Sequence, residues 1–350
     1  MKFFHLSDLH IGLRLYNRDL LQDQSYIFRE IVELAKEEKP DALVIAGDIY
    51  DKAIPSAEAV GVFDQFVLTL KKELPDMVIM MISGNHDSAP RVNLYRNILE
   101  EQKIYMVGMP PQRAEEQIEK VTLQDAWGNV NFYLLPFVKP SMVKTVVGTG
   151  ENGNLLSYQE SLRRMMEREQ IREEERNVCV SHQFYLPVGT GAEQVQRMDS
   201  EICTVGNIDQ VSAEILKKFD YSALGHIHKP MKVGGDRIWY CGTPMQYSVS
   251  EAGQKKAILM VELKEKGTYS VTPIPLNAPH EVRIIKGKLN EILKQECEDY
   301  VSVLLTDRMD LDICDMQDRL YTAFPNLLEI RREQWDRPDY EMADSQVEMD

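Results

Sequence analysis

The sequence has no surplus of positive charge: 40 Lys and Arg stand against 56 Asp and Glu, a formal net charge of −16. Such a surface repels a polyanion, which excludes generic nucleic-acid affinity. A nucleic-acid substrate would need a local basic strip or a partner subunit. There is no Cys-x-x-Cys pair. Cys179, Cys203, Cys241, Cys297 and Cys314 are scattered, an odd set that reads as reduced thiols, mostly core filling, in a cytoplasmic protein. No apolar run has the length of a membrane span, so no membrane partner is expected. The first seven residues are too short for a signal peptide and run straight into a candidate ligand. No Gly-x-x-x-x-Gly-Lys-Ser/Thr loop occurs, so ATP chemistry of that type is excluded. Internal repeats and low-complexity tracts are absent. What remains is ordinary for a soluble globular protein, with 43% hydrophobic and 27% charged residues. The 350 residues leave room for one large domain and a small one.

The first half alternates apolar strands with amphipathic helices. Residues 2–7, 41–46, 77–83 and 104–107 read as strands, and 21–38 and 56–73 as helices, with Ser56 an N-cap. Residues 121–138 read as a hairpin turning at Gly128-Asn129, and 157–176 as a charged helix. Further strands are expected at 178–181, 221–224, 238–241, 257–263 and 269–274. This order predicts an α/β sandwich of two mixed β-sheets flanked by helices. Pro273, Pro275 and Pro279 then break the pattern. Beyond them a β-α-β-α-β order predicts a small α+β C-terminal domain. The expected boundaries are 1–275 for the large domain and 280–335 for the small one, with 336–350 an acidic, disordered tail.

Five of the seven histidines fall in short patterns: Asp8-Leu9-His10, Gly47-Asp48-Ile49-Tyr50-Asp51, Gly84-Asn85-His86-Asp87, Ser181-His182 and Gly225-His226-Ile227-His228. Four of the five patterns directly follow an apolar strand, and in open α/β sheets ligand sites gather at strand carboxyl ends. Asp8 and His10, like His226 and His228, are two residues apart, and strand alternation would point each pair to one side. Asp48 has two oxygens and can bridge two cations. Asn85 offers an amide oxygen, and His182 completes a second centre. The donor mix suits manganese, iron or zinc better than calcium or magnesium. Alone, each pattern has a plain reading: a loop for Asp-x-His, a helix cap for Asn-His-Asp, a hydrogen-bonded side chain for His182. Their joint occurrence in one order points instead to a binuclear metal site that hydrolyses a phosphate ester. His5 and His280 belong to no pattern and read as structural.

This ordered set resembles the calcineurin-like metallophosphoesterase superfamily. The resemblance implies that Asp8, His10, Asp48 and His228 hold one divalent metal, expected to be Mn(II), and that Asp48, Asn85, His182 and His226 hold the other. It makes His86 the proton donor to the leaving oxygen, or a group that stabilises charge on the phosphoryl group, with its tautomer fixed by the Asp51 carboxylate. The phosphatase branch resembles Gly-Asp-x-x-Asp-Arg-Gly, but here Lys52-Ala53 follows Asp51, so the arginine that would grip a phosphomonoester is missing.

Several stretches are similar to a nuclease branch, the family of the bacterial SbcD exonuclease subunit: residues 5–12, 48–51, 84–88, 221–228 and 240–244, with Ser248 to Glu251 beyond. That resemblance makes the C-terminal domain a capping domain. It implies a manganese-dependent DNA exonuclease (3′-to-5′) and endonuclease in DNA repair and recombination, processing double-strand ends and hairpins. Its partners would be DNA and an SbcC-type ATPase, with a homodimer inside a heterotetramer. Arg14, Arg18 and Arg91 lie near ligands in sequence and could touch DNA phosphates, or be ordinary surface cations. Competing readings are a small-nucleotide phosphodiesterase or phosphatase of the same superfamily, and an inactive scaffold with this fold. The scaffold is disfavoured because no ligand position is degenerate.

Overall fold

Two six-stranded sheets organise the first part of the chain in the computed structural model, which describes residues 1–190, 198–201, 209–307 and 313–333. The first sheet has the order Tyr269–Leu276, Lys256–Leu263, Lys2–Leu6, Ala42–Ala46, Val78–Ile82, Ile104–Val107. Its last four strands run parallel, and the first two join antiparallel at one side. The second sheet has the order Met231–Lys232, Ile238–Tyr240, Tyr221–Gly225, Arg176–His182, Gly128–Leu135, Glu119–Asp125. Its middle four strands are parallel and its outer two antiparallel. Both sheets are therefore mixed, and the architecture is the expected α/β sandwich.

Ala42–Ala46 and Val78–Ile82 are continuously apolar because both of their faces are covered. On one face Phe3, Val44, Ala46, Met80 and Ile82 meet Phe132, Leu134, Val178, Val180, Tyr221 and Ala223 of the second sheet, forming the core between the sheets. Phe3 sits edge-on to Phe132 and Tyr221, at centroid distances of 5.3 and 5.8 Å, an arrangement aromatic quadrupoles favour. Helices Leu21–Glu38 and Ala57–Glu73 pack on each other through stacked Phe28 and Phe66, 4.8 Å apart. The second helix starts as expected: Ser56 Oγ accepts from the Ala59 amide at 3.2 Å. Against the second sheet, Val143, Val146 and Val147 of helix Pro140–Val147 and Leu162, Met165 and Met166 of helix Tyr158–Arg168 close a further apolar cluster. No helix among the described residues is long and apolar enough to cross a membrane.

Local expectations fail at three places. The hairpin turns at Ala126-Trp127, since Asp125 pairs with Gly128, just before the Gly128-Asn129 signal. The charged helix ends at Arg168 rather than continuing to Arg176. Arg176 instead begins a buried strand and buries its guanidinium against Asp125 and three carbonyls; the charge pattern alone did not separate an ion-paired strand end from a solvated helix face. Finally, Pro273 and Pro275 do not break the sheet. They lie in its outermost strand, opposite Leu259 and Ala257, where a missing amide costs least.

Contacts divide the chain after Val282. The second unit has a three-stranded sheet ordered Val282–Gly287, Tyr300–Leu305, Leu327–Arg332, with helices Leu289–Ile292 and Ile313–Ala323 between strands. Its own core gathers Leu289, Ile292, Val301, Val303, Leu305, Met316, Leu320, Phe324 and Leu327. The expected acidic tail, and Cys203, lie outside the described residues. Cys179 and Cys241 are buried free thiols.

Candidate metal centre

Five parallel strands, drawn from both sheets, end at one edge of the sandwich. The loop after Lys2–Leu6 carries Asp8 and His10. The loop after Ala42–Ala46 carries Asp48, and that after Val78–Ile82 carries Asn85 and His86. His182 ends Arg176–His182, paired with Gly225, and His226 and His228 follow Tyr221–Gly225.

Strand alternation does not produce this convergence, contrary to the period-two expectation. Asp8, His10, Asp48 and His226 all lie beyond their strands with positive φ, at 51°, 42°, 49° and 101°. A non-glycine residue adopts such angles only where its surroundings compel it. Here the loops are pinned by the Asp8 amide on Gly47 O (3.0 Å) and the His10 amide on Asp48 O (3.0 Å). Gly47, with φ at 89°, must lack a side chain: a Cβ there would run into the His182 ring, 2.6 Å from Cγ.

The side chains form one connected cluster. His10 Nε2 faces His228 Nε2 at 3.1 Å. Asp8 Oδ1 lies 3.9 Å from both His182 Nε2 and His228 Nε2. Asp48 Oδ2 lies 3.7 Å from His10 Nε2 and 3.1 Å from His182 Nε2. Asn85 Oδ1 receives His182 Nε2 at 3.1 Å and His226 Nδ1 at 2.9 Å. Among the described residues, three groups have ligand atoms near enough to share an ion: Asp8–His10–His228, Asp8–Asp48–His182 and His10–Asp48–His86. Asp48 thus stands between two halves, as a bridging carboxylate must.

The hydrogen-bond inventory shows that these residues fit cations. His182 Nδ1 lies 2.7 Å from the Ala46 carbonyl, which can only accept, so Nδ1 carries the proton. In the neutral ring Nε2 is then a lone pair aimed at two further acceptors, Asp48 Oδ2 and Asn85 Oδ1. Only a proton or a cation reconciles them. Without a metal the proton takes that place: burial works against it, but Asp48 and Asp8 together hold His182 up at about 9. The pair His10–His228 poses the same problem. Two ring nitrogens 3.1 Å apart need a shared proton or a cation between them. Burial pushes His10 well below its ordinary value, which favours a neutral, ligating ring. Burial raises Asp8, while His182 and His10 hold Asp48 below the carboxylate range against its own burial.

His86 is half-buried beside this cluster, with its ring centroid 4.6 Å from that of His10. Its amide donates to Asp48 Oδ1 at 2.8 Å. Its Nδ1 donates to Asp51 at 2.9 Å, but to the main-chain carbonyl, whereas the expected acceptor was the carboxylate. A strand-loop motif read from sequence gives the residue but not which of its oxygens turns inward. The tautomer follows either way: Nδ1 is protonated, and Nε2 is left for proton exchange.

Supporting residues carried weaker signals. Asp87 is buried and accepts from the amides of Gly84 (2.9 Å), Ile49 (3.1 Å) and Tyr50 (3.0 Å), tying the Asn85-His86 loop to the Asp48 loop. Burial and the neighbouring Asp48 raise it to about 6. Its place as fourth residue of Gly-Asn-His-Asp was the available clue. Gln24 braces the first loop through His10 O (2.8 Å) and the Gly12 amide (3.0 Å), and no sequence pattern announces it. Buried Glu251 and Lys256 pair at 2.6 Å behind His228. Elsewhere, Arg14 is exposed and donates to Asn17 O at 3.2 Å, Arg18 lies in the same short hairpin, and Arg91 is exposed on Ala89–Val92. None of the three is among the residues that build the cluster. His5 is a core histidine held by Tyr221 Oη (2.9 Å) and Leu224 O (3.2 Å), and His280 meets Asp23 at 3.0 Å.

Residues 1–230 match the family model for calcineurin-like phosphoesterases. Among solved structures, TT1561 of Thermus thermophilus is similar over 78% of this chain and 98% of its own, at 12% identity and a TM-score of 0.43. A dimetal phosphatase from Danio rerio is similar over 79% and 96%, at 16% identity and 0.43. GAP50, the anchor in the inner membrane complex of Plasmodium, is similar over 97% and 98%, at 11% identity and 0.42. The chain belongs to the calcineurin-like phosphoesterase family, which implies metal-dependent phosphoester hydrolysis.

Proposed function

We propose that this chain is a two-metal phosphodiesterase acting on DNA, the nuclease subunit of an SbcCD-type complex. The observation that carries the two-metal part is the cluster itself, in which acceptors and imidazole lone pairs face one another around Asp48 at 3.1–3.7 Å. Asp8, His10, Asp48 and His228 would hold one divalent cation, taken to be Mn(II), and Asp48, Asn85, His182 and His226 the other. Such a pair supplies Lewis acidity, lowering the pKa of water and neutralising charge on phosphoryl oxygens. The chain's own groups do the rest. Asp48 spaces the two halves. His86, held through Nδ1, presents Nε2 to protonate the leaving oxygen. Asp87 keeps the His86 loop in register with Asp48.

The DNA assignment rests on the sequence stretches similar to the SbcD family and on the small β-α-β-α-β unit that follows. The net charge of −16 favours a smaller phosphodiester unless an ATPase partner of the SbcC type supplies the DNA-binding surface, so the test includes both. Purified protein with Mn(II) is given a labelled duplex, a DNA hairpin and a p-nitrophenyl phosphodiester, with and without the partner. Cleavage of DNA that Asp48→Ala abolishes supports the proposal. Hydrolysis of the small ester alone, with the partner present, moves the assignment to a nucleotide phosphodiesterase. Metal binding without any hydrolysis indicates the scaffold reading. His86→Ala is expected to retain the metals and lose about 10²–10⁴ in turnover; wild-type turnover in that variant refutes the proton-donor role.

A further inference from the structure

Behind His228 lies a chain of polar side chains to which the two-metal reading gives no role. Ser200 Oγ is 2.7 Å from His228 Nδ1 and 2.6 Å from Glu251 Oε1. Glu251 is fully buried, and Ser248 Oγ (2.9 Å), Thr243 Oγ1 (3.2 Å) and Lys256 Nζ (2.6 Å) also donate to it. Surrounded by donors and beside an ammonium, its carboxylate is ionised and can only accept. The Ser200 hydroxyl proton is therefore committed to Glu251. That leaves an oxygen lone pair for His228, which must place its proton on Nδ1. In the neutral ring His228 Nε2, which faces His10 and Asp8, is then the lone-pair nitrogen, oriented as a ligand.

The backbone of His228 is fixed separately. Its amide donates to Glu201 Oε1 at 2.9 Å, and its carbonyl accepts Lys256 Nζ at 2.9 Å. Ser200 is the group that addresses the ring, since Glu251 Oε1 stands 3.7 Å from Nδ1. Ser200 also belongs to a segment remote in sequence from every ligand. Residues 198–201 dock on the 248–256 region through the Asp199 amide on Ser250 Oγ (2.9 Å) and Gln254 Nε2 on Met198 Sδ (3.1 Å).

We propose that Ser200 and Glu251 are positioning residues that set the tautomer and aim of the His228 ring, so that docking of residues 198–201 and metal occupancy at the Asp8–His10–His228 group are coupled. The proposal rests on the two-metal reading above. Outer partners of ligating histidines change metal affinity by about 10–100-fold when removed, and binding coupling is reciprocal.

Full-length, metal-stripped protein is titrated with Mn(II) by calorimetry. Wild type is expected to take two ions. Ser200→Ala should bind one of them about 10–100-fold more weakly, with the other and the melting temperature of the metal-free protein unchanged. Ser200→Thr, which keeps the hydroxyl, should restore affinity. In the wild type, metal should slow hydrogen exchange of the Asp199 and Glu201 amides by about tenfold or more; this reading needs no variant to fold. Equal affinity of Ser200→Ala and wild type for both ions overturns the relay alone, as does exchange at 199 and 201 indifferent to metal. A wild type that binds no ion overturns the two-metal reading together with it.

Discussion

Gly84→Ala is a one-methyl change with a consequence that can be worked out from the site. A Cβ at residue 84 would lie 2.5 Å from the Asp48 amide nitrogen and 2.6 Å from its Cγ, and closer still to Oδ1. Carbon–carbon contacts settle at about 3.5–4.0 Å, so Asp48 or residue 84 must retreat by about 1 Å. Neither is free to do so. The Asp48 backbone sits at φ 49°, and its carboxylate accepts the His86 amide at 2.8 Å. The Gly84 amide is itself bonded to Asp87 at 2.9 Å. Overpacking of this kind costs about 1–3 kcal/mol of stability. A catalytic group misplaced by about 1 Å loses about 10²-fold in rate, and here the displaced group is the carboxylate proposed to bridge the two metals. Gly61→Ala is the matched control. Nothing lies within 4 Å of a Cβ at that exposed position in helix Ala57–Glu73, so the better helix former should stabilise by about 1 kcal/mol. Urea unfolding followed by circular dichroism reads the stabilities, and phosphodiester hydrolysis with Mn(II) reads the site. If Gly84→Ala unfolds at the wild-type midpoint and hydrolyses at the wild-type rate, the packing argument at Asp48 is wrong.

Further outcomes follow from the same geometry. Metal-free protein should lose stability as pH rises from about 6.5 to about 9, because folded His182 keeps its proton to about 9 while its ordinary value is 6.5. A group whose folded pKa is raised contributes most below the unfolded value and nothing above the folded one. Melting temperatures in EDTA across that range check this, and a flat profile, or one unchanged by His182→Asn, contradicts it. Metal affinity should run the other way and tighten with pH as the competing proton leaves. Asp51→Asn should leave turnover nearly intact, because His86 Nδ1 is held by the main-chain carbonyl; a loss as deep as that of His86→Ala would return the role to the carboxylate. Arg176→Met should cost about 1–3 kcal/mol in chemical unfolding, since three carbonyls lose their guanidinium donor while Asp125 keeps the Met1 ammonium; an unchanged unfolding midpoint would show that solvent replaces the guanidinium.

The sequence carried the chemistry and the fold class. Donor types that recur after apolar strands, in an unbroken order, are local facts, and continuous apolar runs such as Ala42–Ala46 exist only where both faces of a strand are covered. Ser56 and the two long helices were legible for the same reason: capping and burying one face are decided within a few residues. How the ligands meet was decided elsewhere. Left-handed angles at Asp8, His10, Asp48 and His226 are imposed by loops pinned to one another across strands, and no window of sequence contains both partners. The same holds for Ser200 behind His228, 28 residues apart, for Arg176 on Asp125, and for the Asp51 carbonyl that replaced its carboxylate. Residue type fixes which bonds a group is able to make, whereas the orientation of a loop fixes which it does make, and that orientation belongs to the packed whole.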